Sequence, residues 1–280
     1  MDSLVFAAVL AAALLHAGWN AVVKVGLDRF SSVLLLALVQ SGLALMLLPF
    51  FRAPDAASWP WLVASAFLHT GYKLFLIRAY RHGELSQVYP LARGTAPLIV
   101  AVVGAFFLGE TVTAGKTLAV LAIALGVMVM SLRGGAELTA IPGRALAWAI
   151  GTAAFTASYT LADAVGARLS GSVSGFTLAM FVLDGLGMLT FALLARGRSA
   201  LAKLVPAWRS GLAAGTMSLL SYWIAIWAFT RAPVALVAAL RKTSVLFAML
   251  IAVLILKEPA GRWRWAAAML IAGGVVLLRV

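Results

Sequence analysis

Residues 89–110 read Y-P-L-A-R-G-T-A-P-L-I-V-A-V-V-G-A-F-F-L-G-E, and residues 237–258 read V-A-A-L-R-K-T-S-V-L-F-A-M-L-I-A-V-L-I-L-K-E. Each is long and apolar enough to cross a bilayer core of about 30 Å at about 1.5 Å per helical residue. Each carries an Arg well inside, Arg93 or Arg241, and a Glu at its end, Glu110 or Glu258, at the same Arg-to-Glu interval. The same register pairs Thr95 with Thr243 and Gly126 with Gly274, and nearby registers pair Tyr72 with Tyr222 and Trp19-Asn20 with Tyr159-Thr160. The chain therefore reads as a duplication.

Working outward, charged and Pro/Gly-marked breaks divide the 280 residues into ten apolar stretches, at 3–24, 31–51, 59–80, 84–108, 113–132, 144–166, 172–194, 207–230, 233–256 and 262–279. Composition demands such an arrangement. Hydrophobic residues make up 64% and charged residues 11%, against about half and about a quarter in a water-soluble domain. The excess has to face lipid, and the connections are too short for a separate soluble domain. The first stretch is long, lacks preceding basic residues and carries His16, Trp19 and Asn20 inside, so it reads as a permanent span and not as a cleaved signal.

Five spans per half is an odd number, so the second copy enters the membrane from the opposite side. The expected fold is all-α and polytopic: ten transmembrane helices as two inverted five-helix repeats, 1–137 and 138–280, around a central cavity. Inverted repeats of this kind allow a scaffold to rock between two conformations about a site at mid-depth.

The net charge of +13 comes from scattered Lys and Arg, which argues against nucleic acid as a partner and for topology signals on short loops. Lys24, Arg29, Arg78, Arg81, Arg133, Arg144, Arg196, Arg198, Lys203, Arg209, Lys257, Arg262 and Arg264 follow odd-numbered spans. Arg52, Lys116, Arg168, Arg231 and Arg279 lie on the other side. The bias predicts both termini outside the cytoplasm. Cysteine is absent and the three His and nine acids are dispersed, so no metal site or cofactor is expected. There is no G-x-x-x-x-G-K-[ST] loop for an ATP-driven pump and no G-x-S-x-G setting for an intramembrane hydrolase.

Ten spans in two halves, H-A-G-W-N at 16–20, P-L-A-R-G-T-A-P at 90–97 and the following Gly109-Glu110 resemble the drug/metabolite transporter superfamily, in particular its EamA family. The resemblance covers essentially the whole chain. It implies a secondary carrier of the bacterial inner membrane, similar to exporters of aromatic and other neutral amino acids or related small metabolites, working as a monomer or homodimer. A membrane receptor or assembly subunit with a ligand pocket and no net transport is the competing class.

Arg93, Arg241 and Lys242 are expected near the midplane, where an Arg costs about 2.5–3.5 kcal/mol unless it is paired or hydrated. Together with Lys73 they either form fixed salt bridges with Asp163 and Asp184 or meet a substrate carboxylate. Tyr89, Arg93 and Pro97 share a face of span four, where Pro90, Gly94 and Pro97 mark a kink or gating hinge. His16, Asn20 and Lys24 form a stripe on span one beside Trp19, and His69, Lys73 and Tyr80 form one on span three beside Tyr72. Those residues, with Tyr159, Tyr222 and Trp223, are the substrate-binding candidates. If transport is proton-linked, His16, His69 and Asp184 are the coupling candidates. Trp59, Trp61, Trp208, Trp263 and Trp265 fall at span ends and read as an interfacial belt. Glu110 and Glu258 read as structural, and the small residues Ala122, Gly126, Ala268 and Ala272 predict close packing, within the fold or across a dimer.

Overall fold

The computed structural model describes residues 1–23, 27–82, 85–131, 143–254, 257 and 261–279, with side chains described throughout except at 23, 79–82, 85–92, 131 and 145. The principal helices are α1 (Ser3–Val23), α2 (Arg29–Leu47), α3 (Trp59–His82), α4 (Leu85–Phe107), α5 (Ala114–Ser131), α6 (Gly143–Leu169), α7 (Val173–Arg196), α8 (Trp208–Phe229), α9 (Val234–Arg241), α10 (Ser244–Leu254) and α11 (Arg262–Arg279). The boundary expected at 137/138 lies in 132–142, outside the described residues.

The protein is apolar outside and polar within. Phe50, Phe67, Phe106, Phe107, Leu194 and Met269 are exposed, whereas His69, Lys73, Asp163 and Asp184 are buried. Such a distribution suits a hydrocarbon solvent and not water. Polar groups at the helix ends are capped locally: Asp28 accepts from the backbone N–H groups of Phe30 and Ser31 at the start of α2, and Ser172 accepts from Gly175 N at the start of α7. Partial burial works against ionisation of Asp28. Hydrogen bonds from the Ser31 hydroxyl and amide and from Arg196 outweigh it and hold the carboxyl below its ordinary range.

Side-chain contacts fix the relative directions of several spans. Phe75 meets Trp148 at 4.9 Å and Phe155 at 4.7 Å, while Trp61 lies beside Gly166, so α3 and α6 run antiparallel. The Ser221 hydroxyl donates to Ala12 O at 2.7 Å and Gly18 abuts Met217, which makes α1 and α8 antiparallel. These pairs exchange under the repeat, as do α2 with α8 and α3 with α7. The pseudo-twofold relation is clearest between α5 and α11. A Cβ on Gly126 would fall 2.6 Å from Ile271 and 3.1 Å from Ala267 O, and one on Gly274 would fall 2.7 Å from Ile123 and 3.0 Å from Ala119 O. The two contacts are the same contact with the halves swapped, and they run in opposite directions. The inverted ten-span architecture is therefore built into this helix pair. The small residues serve an intramolecular interface, and glycine at both positions is what lets the backbones approach.

The structure departs from one expectation. Span nine is not one continuous helix: it breaks at Lys242-Thr243 into α9 and α10. Lys242 N donates to Ala239 O at 2.9 Å and Thr243 N to Leu240 O at 3.1 Å, a tightened turn. The Thr243 hydroxyl donates to the same Leu240 carbonyl at 2.7 Å, giving the backbone an alternative to the regular ladder. Broken helices at mid-depth are tolerated where they line a cavity.

The repeat also appears in the turns. Gly109 has φ 62°, and its counterpart Lys257 has φ 53°. Glycine adopts that conformation freely, whereas a residue with a Cβ carries about 1–2 kcal/mol of strain. Lys257→Gly is expected to raise stability by about 1 kcal/mol after the entropy of a freer unfolded chain is set against it. An upward shift in Tm in detergent for Lys257→Gly, absent for Lys257→Ala, is the check.

Candidate functional site

A cavity of ≈ 160 Å³ lies between the halves, close to the size of cavities that take up a benzene-sized molecule. Its walls are His16 and Trp19 late in α1, Gln40 in α2, His69, Tyr72 and Lys73 late in α3, and Arg93, Ala96 and Pro97 in α4. The second half adds Thr152, Thr156, Tyr159 and Thr160 of α6, Asp184 of α7, Ser218, Ser221 and Tyr222 of α8, and Arg241, Lys242 and Ser244 at the break in span nine. These positions lie at mid-depth or toward the loops that follow odd-numbered spans.

Two buried carboxylates anchor the site. Asp163, 0% exposed, accepts from the Ser65 hydroxyl and the Tyr222 hydroxyl and lies 3.1 Å from His69 Nε2. Its partners come from α3 and α8, so the carboxylate ties three helices together. Asp184, 1% exposed, pairs with Lys73 and accepts from the Thr70 hydroxyl at 3.1 Å. Among the described residues the deep acids thus engage Lys73 and His69. No described carboxylate stands within ion-pair distance of Arg241 or Lys242. Arg241 instead covers the Tyr222 ring, 4.6 Å from its centroid.

Arg93 and His16 are neighbours, with Nη2 2.6 Å from Nε2. Arginine only donates, so that His16 nitrogen accepts and carries no proton in this geometry. Trp19 Nε1, also a donor, lies 3.3 Å from the other His16 nitrogen, with the rings edge to face at 5.0 Å. A neutral imidazole has one acceptor nitrogen, and two donors compete for it. Arg93, Arg241 and Lys242 line the same cavity as His16.

The aromatic wall is continuous. His69 stacks on Tyr159 at 4.0 Å, Tyr72 meets Tyr159 at 5.5 Å and Phe181 meets Tyr222 at 5.9 Å.

Of the residues singled out in the sequence, His16, Trp19, His69, Tyr72, Lys73, Arg93, Pro97, Tyr159, Asp184, Tyr222, Arg241 and Lys242 line the cavity. Asp163 lies just behind it as the partner of His69 and Tyr222. Asn20 turns back to donate to His16 O at 2.7 Å, and Trp223 donates to Ser174 Oγ at 3.1 Å and meets Phe51. Neither is part of the cavity wall. Gly94 packs on Met128, where a Cβ would come within 2.5 Å. Lys24 and Glu258, and the side chains of Tyr80, Tyr89 and Pro90, lie outside what the structure describes. The sequence reading missed Gln40, which donates to Ser218 at 3.0 Å, and the threonines of α6. Thr152, Thr156 and Thr160 recur at helical spacing and each donates its hydroxyl to a carbonyl one turn earlier, a periodic signal available in the sequence.

Beyond the cavity, at the loops that follow even-numbered spans, the halves are clasped. Arg168 donates to Glu110 at 2.6 Å, to Phe229 O at 3.0 Å and to Ala232 O at 3.4 Å. Glu110 also accepts from Val234 N at 2.8 Å, at the start of α9. One carboxylate from the first half thereby caps a helix of the second.

A ten-span inverted duplication with a polar chamber between its halves is the architecture of a membrane carrier. The EamA-like transporter family matches residues 3–132 and 143–280, one match per half, and the chain belongs to that family. It is an integral, multi-pass membrane protein of a transporter family, for which a small molecule is the substrate and the bilayer the solvent. No curated protein matches the sequence. A solved structure described only as "Crystal structure of protein" is similar over 100% of this chain and 99% of its own, with TM-score 0.79 and 16% identity, which bears on the fold alone.

Proposed function

We propose that the protein is a secondary transporter of the bacterial inner membrane that exports small amphipathic metabolites bearing a carboxylate or comparable anionic group, by alternating access. Amino acids are the class that the family resemblance implies. The observation that carries the reading is the cationic pair Arg241-Lys242 at a break in span nine, facing a chamber that an aromatic wall completes. Guanidinium and ammonium groups recognise an anion through charge-assisted hydrogen bonds, and the rings of Tyr72 and Tyr159 offer surface to an apolar portion.

In this mechanism the halves 1–137 and 138–280 rock about the chamber, and the protein works as a monomer or homodimer. The Glu110–Arg168 clasp closes the face of the even-numbered loops. With the Lys and Arg bias placing odd-numbered loops in the cytoplasm, the chamber lies toward the cytoplasmic side, where an exporter loads. Proton coupling would run through His69 and the two buried carboxylates.

Purified protein in liposomes preloaded with labelled metabolites is expected to show saturable counterflow that unlabelled substrate inhibits. Binding of the same compounds with no movement of label would mark a receptor and defeat the carrier reading. An imposed pH gradient that drives uphill accumulation is the expected sign of coupling.

A further inference from the structure

We infer that the transported compound is a small organic anion whose head group is a doubly charged oxyanion and which carries no ammonium group. The inference rests on the carrier reading above and narrows its substrate. It follows from how the charges and donors around the chamber are committed.

Among the described residues, the two deep carboxylates that could receive an ammonium already have partners. Asp163 is held by Ser65, His69 and Tyr222, and Asp184 by Lys73 and Thr70. Two of the ring faces that could receive one are engaged as well: Arg241 covers one face of Tyr222, and His69 stacks on one face of Tyr159. A zwitterionic amino acid would bring its ammonium toward Arg241 and Lys242 with no counter-charge to meet it. Transfer of an unpaired charge into such a site is strongly unfavourable.

The cations have the opposite need. Arg241 and Lys242 are adjacent, line the same chamber and have no carboxylate within ion-pair distance among the described residues. A singly charged head would compensate one and leave the other, whereas a dianion satisfies both. Arg supplies a planar two-pronged donor and Lys a mobile point charge, a combination suited to a compact oxyanion.

Hydrogen-bond inventory gives a second, independent argument. At His16, Arg93 and Trp19 are both donors facing a ring with one acceptor nitrogen. Donors outnumber acceptors there, and an acceptor-rich group at the chamber wall relieves the competition by taking the Trp19 N–H. An oxyanion has acceptors only, and an ammonium would add further donors.

The test uses the full chain in nanodiscs and three probes of similar size: alanine, a zwitterion; lactate, a monoanion; and ethyl phosphate, predominantly a dianion at pH 7.5. Calorimetric Kd values should fall in the order alanine, lactate, ethyl phosphate, with roughly tenfold or more between the last two, and counterflow should follow the same order. Arg241→Gln and Lys242→Gln should each weaken ethyl phosphate by about 10–100-fold, the loss of one charge-assisted hydrogen bond, while alanine binding changes less than about twofold. Size-exclusion profile and Tm confirm that each variant is folded, and Arg241→Lys should recover part of the affinity.

Alanine bound as tightly as ethyl phosphate, ethyl phosphate bound equally by the Gln variants, or no binding of any probe at millimolar concentration would each overturn the inference. The two levels separate cleanly. Ethyl phosphate binding without counterflow refutes the carrier and keeps the anion, and robust alanine counterflow without a preference for ethyl phosphate does the reverse.

Discussion

Lys73→Met is expected to lower stability by about 3–5 kcal/mol, because it strands the Asp184 carboxylate in a site that is 1% exposed. The Thr70 hydroxyl remains as a partner at 3.1 Å, but one neutral donor does not replace an ammonium. The double replacement Lys73→Met with Asp184→Leu removes both charges and should recover most of the loss, since apolar side chains of similar volume substitute for a buried pair at little cost. Reversible unfolding in mixed micelles, read for both singles and the double, gives the coupling energy. If Lys73→Met leaves the unfolding midpoint where it was, the ion pair is not what holds α3 to α7. Recovery of flux in the double would also establish that this pair is structural, that Asp184 takes no part in proton coupling and that the cations serving the substrate lie elsewhere.

Arg241→Ala should reduce counterflow by about 10–100-fold while the protein stays folded, the effect of losing a charge-assisted contact to the transported anion. Arg93→Ala is expected to act in the same direction through its neighbour His16. Because Arg241 sits over Tyr222 and Tyr222 donates to Asp163, a structural contribution is separated by measuring Tm alongside flux. Wild-type transport with both arginines replaced would remove the anion-binding role. Full loss of flux with a Tm decrease larger than that of Lys73→Met would move Arg241 from the site to the scaffold.

The repeat could be read from the sequence because the same chain is used twice at nearly constant spacing. Arg93 and Arg241, Gly109 and Lys257, and Gly126 and Gly274 keep register: both arginines line the chamber, Gly109 and Lys257 share a positive φ, and the two glycines make the same close approach. Apolar runs of bilayer length mark the spans for the same reason that they form: in lipid every backbone group has to be satisfied within its own helix. The interruption of span nine was not legible. Val234–Leu254 is apolar on both sides of Lys242, and the turn depends on a Thr243 hydroxyl choosing the Leu240 carbonyl.

The partner choices were hidden as well. Arg93, Arg241, Lys242 and Lys73 competed on paper for Asp163 and Asp184. The structure gives Asp184 to Lys73 and surrounds Asp163 with Ser65, His69 and Tyr222. The wall residues Gln40, Ser218 and Ser221 give no signal in the sequence, since hydroxyl and amide side chains carry no charge to stand out within an apolar span.

Composition, span length and duplication by themselves determined that this chain lies in a membrane, crosses it ten times and is built from two inverted copies. These properties are local or periodic, and hydrophobicity and chain length enforce them residue by residue. Which cations are neutralised, which face a chamber and which face of each helix points inward were decided only by the tertiary structure. Lipid does not distinguish one side of an apolar helix from the other, and the pairs that break the tie join residues far apart in the chain, such as Lys73 with Asp184 at a separation of 111.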